Sequence, residues 1–102
     1  MKKILIVDDD VSIGNLLEET LSADGYQINR AYSGTEAVML LDNAVFDLVL
    51  LDLMLPGLSG EEVLPLIKDM PVIVISAKAE VQNKVSLLLG GAADYITKPF
   101  NI

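Results

Sequence analysis

Cysteine, histidine and tryptophan are all absent from this 102-residue chain. Without cysteine there is no disulfide and no thiolate metal site. Without histidine, a Ser-His-Asp triad and a histidine metal site are excluded. Basic residues are scarce: 7 Lys and Arg stand against 15 Asp and Glu, a formal net charge of −8. Phosphate neutralisation needs a clustered basic face, so the chain is not expected to bind DNA or RNA by itself. No apolar run approaches the roughly 20 residues of a membrane span. Met1-Lys2-Lys3 and the run Ile4 to Val7 imitate the start of a secretory signal, but Asp8-Asp9-Asp10 cuts it short. No apolar signal region tolerates that interruption, and a soluble, cytoplasmic protein is expected.

What is plentiful is apolar: 52% of the residues are hydrophobic. The length fits one domain, residues 1–102, with a single core and little to spare. Three short runs stand out: Ile4-Leu5-Ile6-Val7, Leu48-Val49-Leu50-Leu51 and Val72-Ile73-Val74-Ile75. Each is too short for a helix and lacks alternation, which is how strands buried on both faces read. Gln27 to Ala31 and Asp94 to Thr97 are weaker strand candidates. Between them lie helical patterns. Ile13, Leu16, Leu17 and Leu21 share a face, Asp10 caps that helix and Gly25 stops it. Ala37, Val38, Leu40 and Leu41 follow a capping box of Ser33 and Glu36, and Ser59 with Glu62 repeats the box before Val63, Leu64 and Ile67. Pro65 makes that third helix short, kinked or late. A fourth helix is expected over 80–89, ending at Gly90-Gly91. The alternation of strand and helix predicts an α/β fold, a parallel sheet with helices on both faces.

In such sheets the ligand site lies beyond the carboxyl ends of the strands. The reactive residues fall there. Asp8 and Asp9 follow the first strand, Asp52 closes the third, Ser76 closes the fourth, and Lys98 follows the fifth and precedes Pro99. Three carboxylates gathered at one edge repel one another unless a cation sits among them. Oxygen-only ligands select a hard ion, and Mg²⁺ fits best because it keeps waters that a phosphate can replace. Lys98 supplies a fixed cation and Ser76 a hydroxyl for a transferring phosphoryl group. Asp52 is the natural carboxylate nucleophile, forming an aspartyl phosphate. Taken singly, Ser76 reads as a turn serine, Lys98 as a solvated charge and the Asp8–Asp9 pair as loop residues. Asp52 is harder to dismiss, since an unpaired acid after a buried run costs several kcal/mol.

With Asp-Leu-Met-Leu-Pro-Gly at 52–57, Ser-Ala-Lys at 76–78 and Asp-Tyr-Ile-Thr-Lys-Pro-Phe at 94–100, the chain resembles the receiver domain of bacterial two-component response regulators. That resemblance implies a flavodoxin-like doubly wound sheet in the strand order 2-1-3-4-5, and phosphorylation of Asp52 by a sensor histidine kinase or small phosphodonors. It implies direct Mg²⁺ ligation by Asp9 and Asp52, contact through water for Asp8, and a further ligand in the backbone carbonyl of Met54. Ser76 and Tyr95 are implied as the switch pair. Ala77 matches the small residue that leaves the site open, and Pro99 the lysine–proline bond that aims Lys98. Gly57 reads as a turn glycine beside the site. A switch that assists its own phosphorylation, rather than an enzyme with turnover, is the expectation.

The pattern departs from the family at its end. The chain stops after the fifth strand, where relatives continue into a fifth helix. An uncovered apolar face beside the first helix, over the first and fifth strands, is therefore expected, with self-association through it. The motif at 94–100 resembles regulators carrying a winged-helix effector, so DNA contact is expected only through such an absent domain. Three other functions compete. A flavodoxin-like cofactor binder needs a Gly- or Ser-rich phosphate loop where this chain has three aspartates. A haloacid dehalogenase-type phosphatase needs more length. A binding-only receiver-like module would be expected to lack Asp52, Ser76 or Lys98, and all are present.

Overall fold

The computed structural model describes residues 2–67, 69–76, 92 and 94–97. Its elements are β1 (Lys3–Val7), α1 (Val11–Ala23), β2 (Gln27–Ala31), α2 (Gly34–Asn43), β3 (Leu48–Asp52), α3 (Gly60–Val63) with a following 3₁₀ turn (Leu64–Leu66), β4 (Val72–Ser76) and β5 (Asp94–Thr97). The strands form one parallel sheet in the order β2-β1-β3-β4-β5. This is the flavodoxin-like arrangement the sequence implies. The fourth helix expected over 80–89 lies outside the described residues.

The sheet is covered on two faces because successive side chains of a strand point to opposite sides. Leu5 and Val7, Val49 and Leu51, and Val72 and Val74 enter one apolar cluster with Ala37 of α2 and Val63 of α3. Their neighbours Ile4, Ile6, Leu50 and Ile75 enter the other, with Leu17 of α1. Each β-branched or Leu-rich run thus serves both cores at once, which is why none of them alternates with polar residues.

On the α1 face, Ile4, Ile6, Leu50 and Ile75 are buried, while Ile73 and Leu48 are half-buried. Among the described residues a cavity of about 320 Å³ opens at the amino-terminal edge of the sheet. Ile4, Leu21, Tyr26 and Leu48 line it, with Lys2 and Asp47. The part of the expected uncovered face over the fifth strand lies outside the residues whose side chains are described. Leu16 departs from the expected α1 stripe: it is 47% exposed, whereas Leu17 is buried and Ile13 and Leu21 pack against the core.

The caps follow the sequence closely. Asp10 is the N-cap of α1, its carboxylate accepting from Ile13 N–H at 3.2 Å. Asp10→Ala will lower stability by about 1 kcal/mol, read as a urea midpoint shift at constant slope. After Asp24, Gly25 takes φ +94° and ends the helix. Ser59 and Glu62 form the full reciprocal capping box, while at Ser33 the bond from Glu36 N–H to the serine hydroxyl is made at 3.1 Å. Pro65 sits in the first turn of the 3₁₀ segment, where its missing N–H is harmless, and α3 is accordingly one turn long.

Candidate functional site

Parallel strands carry all their carboxyl ends to one edge, and that edge collects the acids. Asp8 lies just past β1, and its N–H donates to the Ala31 carbonyl of β2 at 3.0 Å. Its Oδ1 accepts from Asp10 N–H at 2.9 Å, so one acid both orients its own loop and ties it to the start of α1. Asp52 is the last residue of β3, whose register with β1 pairs Val7 with Leu51. Asp52 Oδ1 accepts from Met54 N–H at 3.3 Å, turning the chain back over the strand end.

Asp8 and Asp52 are only 2% and 6% exposed, and Asp9 is exposed. One carboxylate oxygen from each of the three lies within 4.8 Å of the others. Two buried carboxylates beside a third concentrate negative charge where desolvation makes repulsion costly. An all-oxygen donor set in a chain without histidine or cysteine suits a hard divalent cation, so the residues present fit Mg²⁺.

The other residues singled out from sequence divide into two groups. Ser76 ends β4 beside the Asp52–Ile75 pair and pairs across to Thr97, and Tyr95 lies on β5 opposite Val74. Gly57, expected as a turn glycine, has φ +74°, in the left-handed region, and the Met54 side chain is exposed. Ala77, Lys98 and Pro99 lie outside the described residues.

Two features were not visible in the sequence. Gly34 and Gly60 pack directly on the loop that follows Asp52. Arg30 of β2 lies under α1 with its side chain 9% exposed, donating to Asn15 Oδ1 at 3.0 Å and to Glu18 Oε1 at 2.9 Å, with its guanidinium 5.0 Å from the Tyr32 ring centroid. Gly14 makes room for it, since a Cβ there would lie 2.1 Å from Arg30 Nη2. A lone arginine in a weakly patterned edge strand carries no signal for such burial.

Comparison with known proteins agrees with this geometry. Residues 4–102 match the family described as the response regulator receiver domain. The uncharacterized transcriptional regulatory protein YrkP of Bacillus subtilis is 42% identical, the alignment covering 97% of this chain and 44% of that protein. The chain therefore spans less than half the length of that relative. Among solved structures, the receiver domain of a Francisella response regulator superimposes with a TM-score of 0.94 at 32% identity, over 99% of this chain and 87% of that one. A response regulator from Burkholderia pseudomallei, solved with a phosphorylated aspartic acid, a calcium ion and citrate, gives a TM-score of 0.92 at 27% identity, over 99% and 62%. Among the described residues no helix is long and apolar enough to cross a membrane. A doubly wound sheet with three acids at its carboxyl edge, matched over nearly its whole length by these proteins, belongs to the response regulator receiver domain family.

Proposed function

We propose that this chain is a phosphorylation-dependent signalling switch in which Asp52 accepts a phosphoryl group. The observation that carries the reading is the meeting of Asp8, Asp9 and Asp52 within 4.8 Å at the ends of two neighbouring strands. The phosphorylated aspartic acid and calcium ion of the Burkholderia structure support it by likeness.

Asp8, Asp9 and Asp52 would hold Mg²⁺, with the Met54 carbonyl completing the protein ligands. When bound, the ion neutralises the site and the oxygens of the incoming phosphoryl group. An Asp52 carboxylate oxygen then forms a bond to phosphorus. The bond from phosphorus to the donor breaks, and its electron pair leaves with the donor: the imidazole nitrogen of a kinase phosphohistidine, or the carboxylate of acetyl phosphate. Lys98 pairs with a phosphoryl oxygen and the Ser76 hydroxyl donates to another. By likeness to the family, Pro99 would aim Lys98 and Ala77 would leave room for the donor, while Gly57, at φ +74°, turns the loop. The new group adds close to two negative charges at the end of β3. Ser76 and Tyr95 then change packing together, altering the surface around β4 and β5.

This is a regulated switch without a turnover substrate. Its partners are a sensor histidine kinase and, in a longer cytoplasmic protein, an effector that controls transcription by binding DNA. Self-association through the α1 face is proposed for the same chain as well, with Ile13, Leu21, Ile28, Leu48 and Ile73 only partly buried there.

Incubation with acetyl phosphate and Mg²⁺ will add one phosphoryl group to the intact mass, with none in EDTA and none in Asp52→Asn. No adduct on a folded native chain that binds Mg²⁺ would return the binding-only reading.

A further inference from the structure

The loop that leaves Asp52, residues 53–59, runs against the amino terminus of α2 with almost no space between the two backbones. At its base, Gly60 N–H donates to the Leu53 carbonyl at 3.0 Å, and a Cβ on Gly60 would lie 2.2 Å from the Asp52 carbonyl oxygen. At its tip, Gly34 N–H donates to the Pro56 carbonyl at 3.3 Å. A Cβ on Gly34 would stand 1.9 Å from the Leu58 carbonyl oxygen and 2.7 Å from its carbonyl carbon. From the other side, a Cβ on Gly57 would come 2.7 Å from Thr35 Oγ1. The obstacles at Gly34 are backbone atoms, which no change of rotamer removes. Gly34 is also not at positive φ, so it is space rather than conformation that demands glycine there.

We propose that Gly34 is a positioning residue for the Asp52 site, setting the height of loop 53–59 through direct contact between α2 and Pro56 to Leu58. The inference rests on the reading of Asp8, Asp9 and Asp52 as a cation and phosphoryl site. The loop is short and fixed at both ends, by β3 and by the Gly60–Leu53 bond. Pro56 stiffens its middle. A displacement forced at Leu58 therefore has few torsions in which to dissipate before it reaches Met54. Met54 N–H holds Asp52 Oδ1, and its carbonyl is the remaining protein ligand proposed for the ion. The first turn of α2 is thus coupled to the geometry of the acids without containing any of them.

The test compares Gly34→Ala and Gly57→Ala, which load the same contact from its two sides, with Gly25→Ala. Gly25 is also at positive φ, yet nothing lies within 4 Å of a Cβ there, so that variant strains backbone remote from the site. Each is titrated with Mg²⁺ while amide NMR shifts are followed, and stability is measured in parallel by urea. In Gly34→Ala the Mg²⁺ dissociation constant should rise about tenfold, as for other changes in groups that orient ligands, and the amides of 53–59 should shift before any ion is added. Gly25→Ala should lose stability and keep native affinity. If Gly34→Ala does not fold, Gly57→Ala carries the same expectation. Native affinity in the folded variants overturns the proposal. If the native chain itself takes no Mg²⁺, the underlying reading fails instead, and the loop amides alone decide whether Gly34 holds the loop.

Discussion

Asp9→Asn will strengthen the fold in the absence of divalent ions and weaken it, relative to the native chain, in their presence. The variant removes one charge from three carboxylates whose oxygens lie within 4.8 Å of one another. Like charges at that spacing repel by several kcal/mol at an effective dielectric near 20, but Asp9 is exposed and water screens it, so about 1 kcal/mol of relief is expected. The same change removes a ligand charge, and affinity for Mg²⁺ should fall at least about tenfold. Because binding to the native state stabilises by RT ln(1 + [L]/Kd), millimolar Mg²⁺ will raise the native chain's urea midpoint and barely move the variant's. The two stabilities should therefore reverse order between EDTA and Mg²⁺. A variant less stable than the native chain in EDTA would contradict the view that these acids are held together against their own repulsion.

The second large effect is in the core. Leu51→Ala will cost about 3 kcal/mol, the usual range for emptying a fully packed leucine site. Leu51 has no exposed surface, lies on the central strand β3 and packs with Leu5, Val49 and Val74 between the sheet and α2. Domains of this size are stable by only about 5–15 kcal/mol, so the loss is a substantial fraction of the total. Leu16→Ala, at a residue 47% exposed on α1, should stay within about 0.5 kcal/mol. Urea unfolding followed by circular dichroism measures both, and the slope should not change. Equal costs at Leu51 and Leu16 would mean that α1 is packed differently from the arrangement described.

Leu16 also marks where the sequence misleads. Its spacing from Ile13 matches a helical stripe, but periodicity alone does not say how wide the buried stripe is, and the sheet meets α1 along Ile13, Leu17 and Leu21. β1, β3 and β4 were legible because burial on both faces leaves an unbroken apolar run. β2 was weaker because it is an edge strand, with Gln27 exposed and Arg30 turned under α1. Asp8, Asp9 and Asp52 could be placed together from sequence because parallel strands deliver their carboxyl ends to one edge. The glycine contacts could not. Ser33-Gly34-Thr35-Glu36 reads completely as a helix cap, and nothing in it announces that Leu58 lies against Gly34. The contacts of Gly34 with Leu58 and of Gly57 with Thr35 join segments more than twenty positions apart and leave no periodic trace.

Asp52 is the proposed carrier of the phosphoryl group. After incubation with acetyl phosphate and Mg²⁺, borohydride reduction converts an acyl phosphate to the alcohol, marking the acceptor aspartate as homoserine. Peptide mapping by mass spectrometry should find homoserine at position 52 and at no other aspartate. Homoserine at Asp8 or Asp9, or an unreduced phosphate retained on Ser76, would contradict the account.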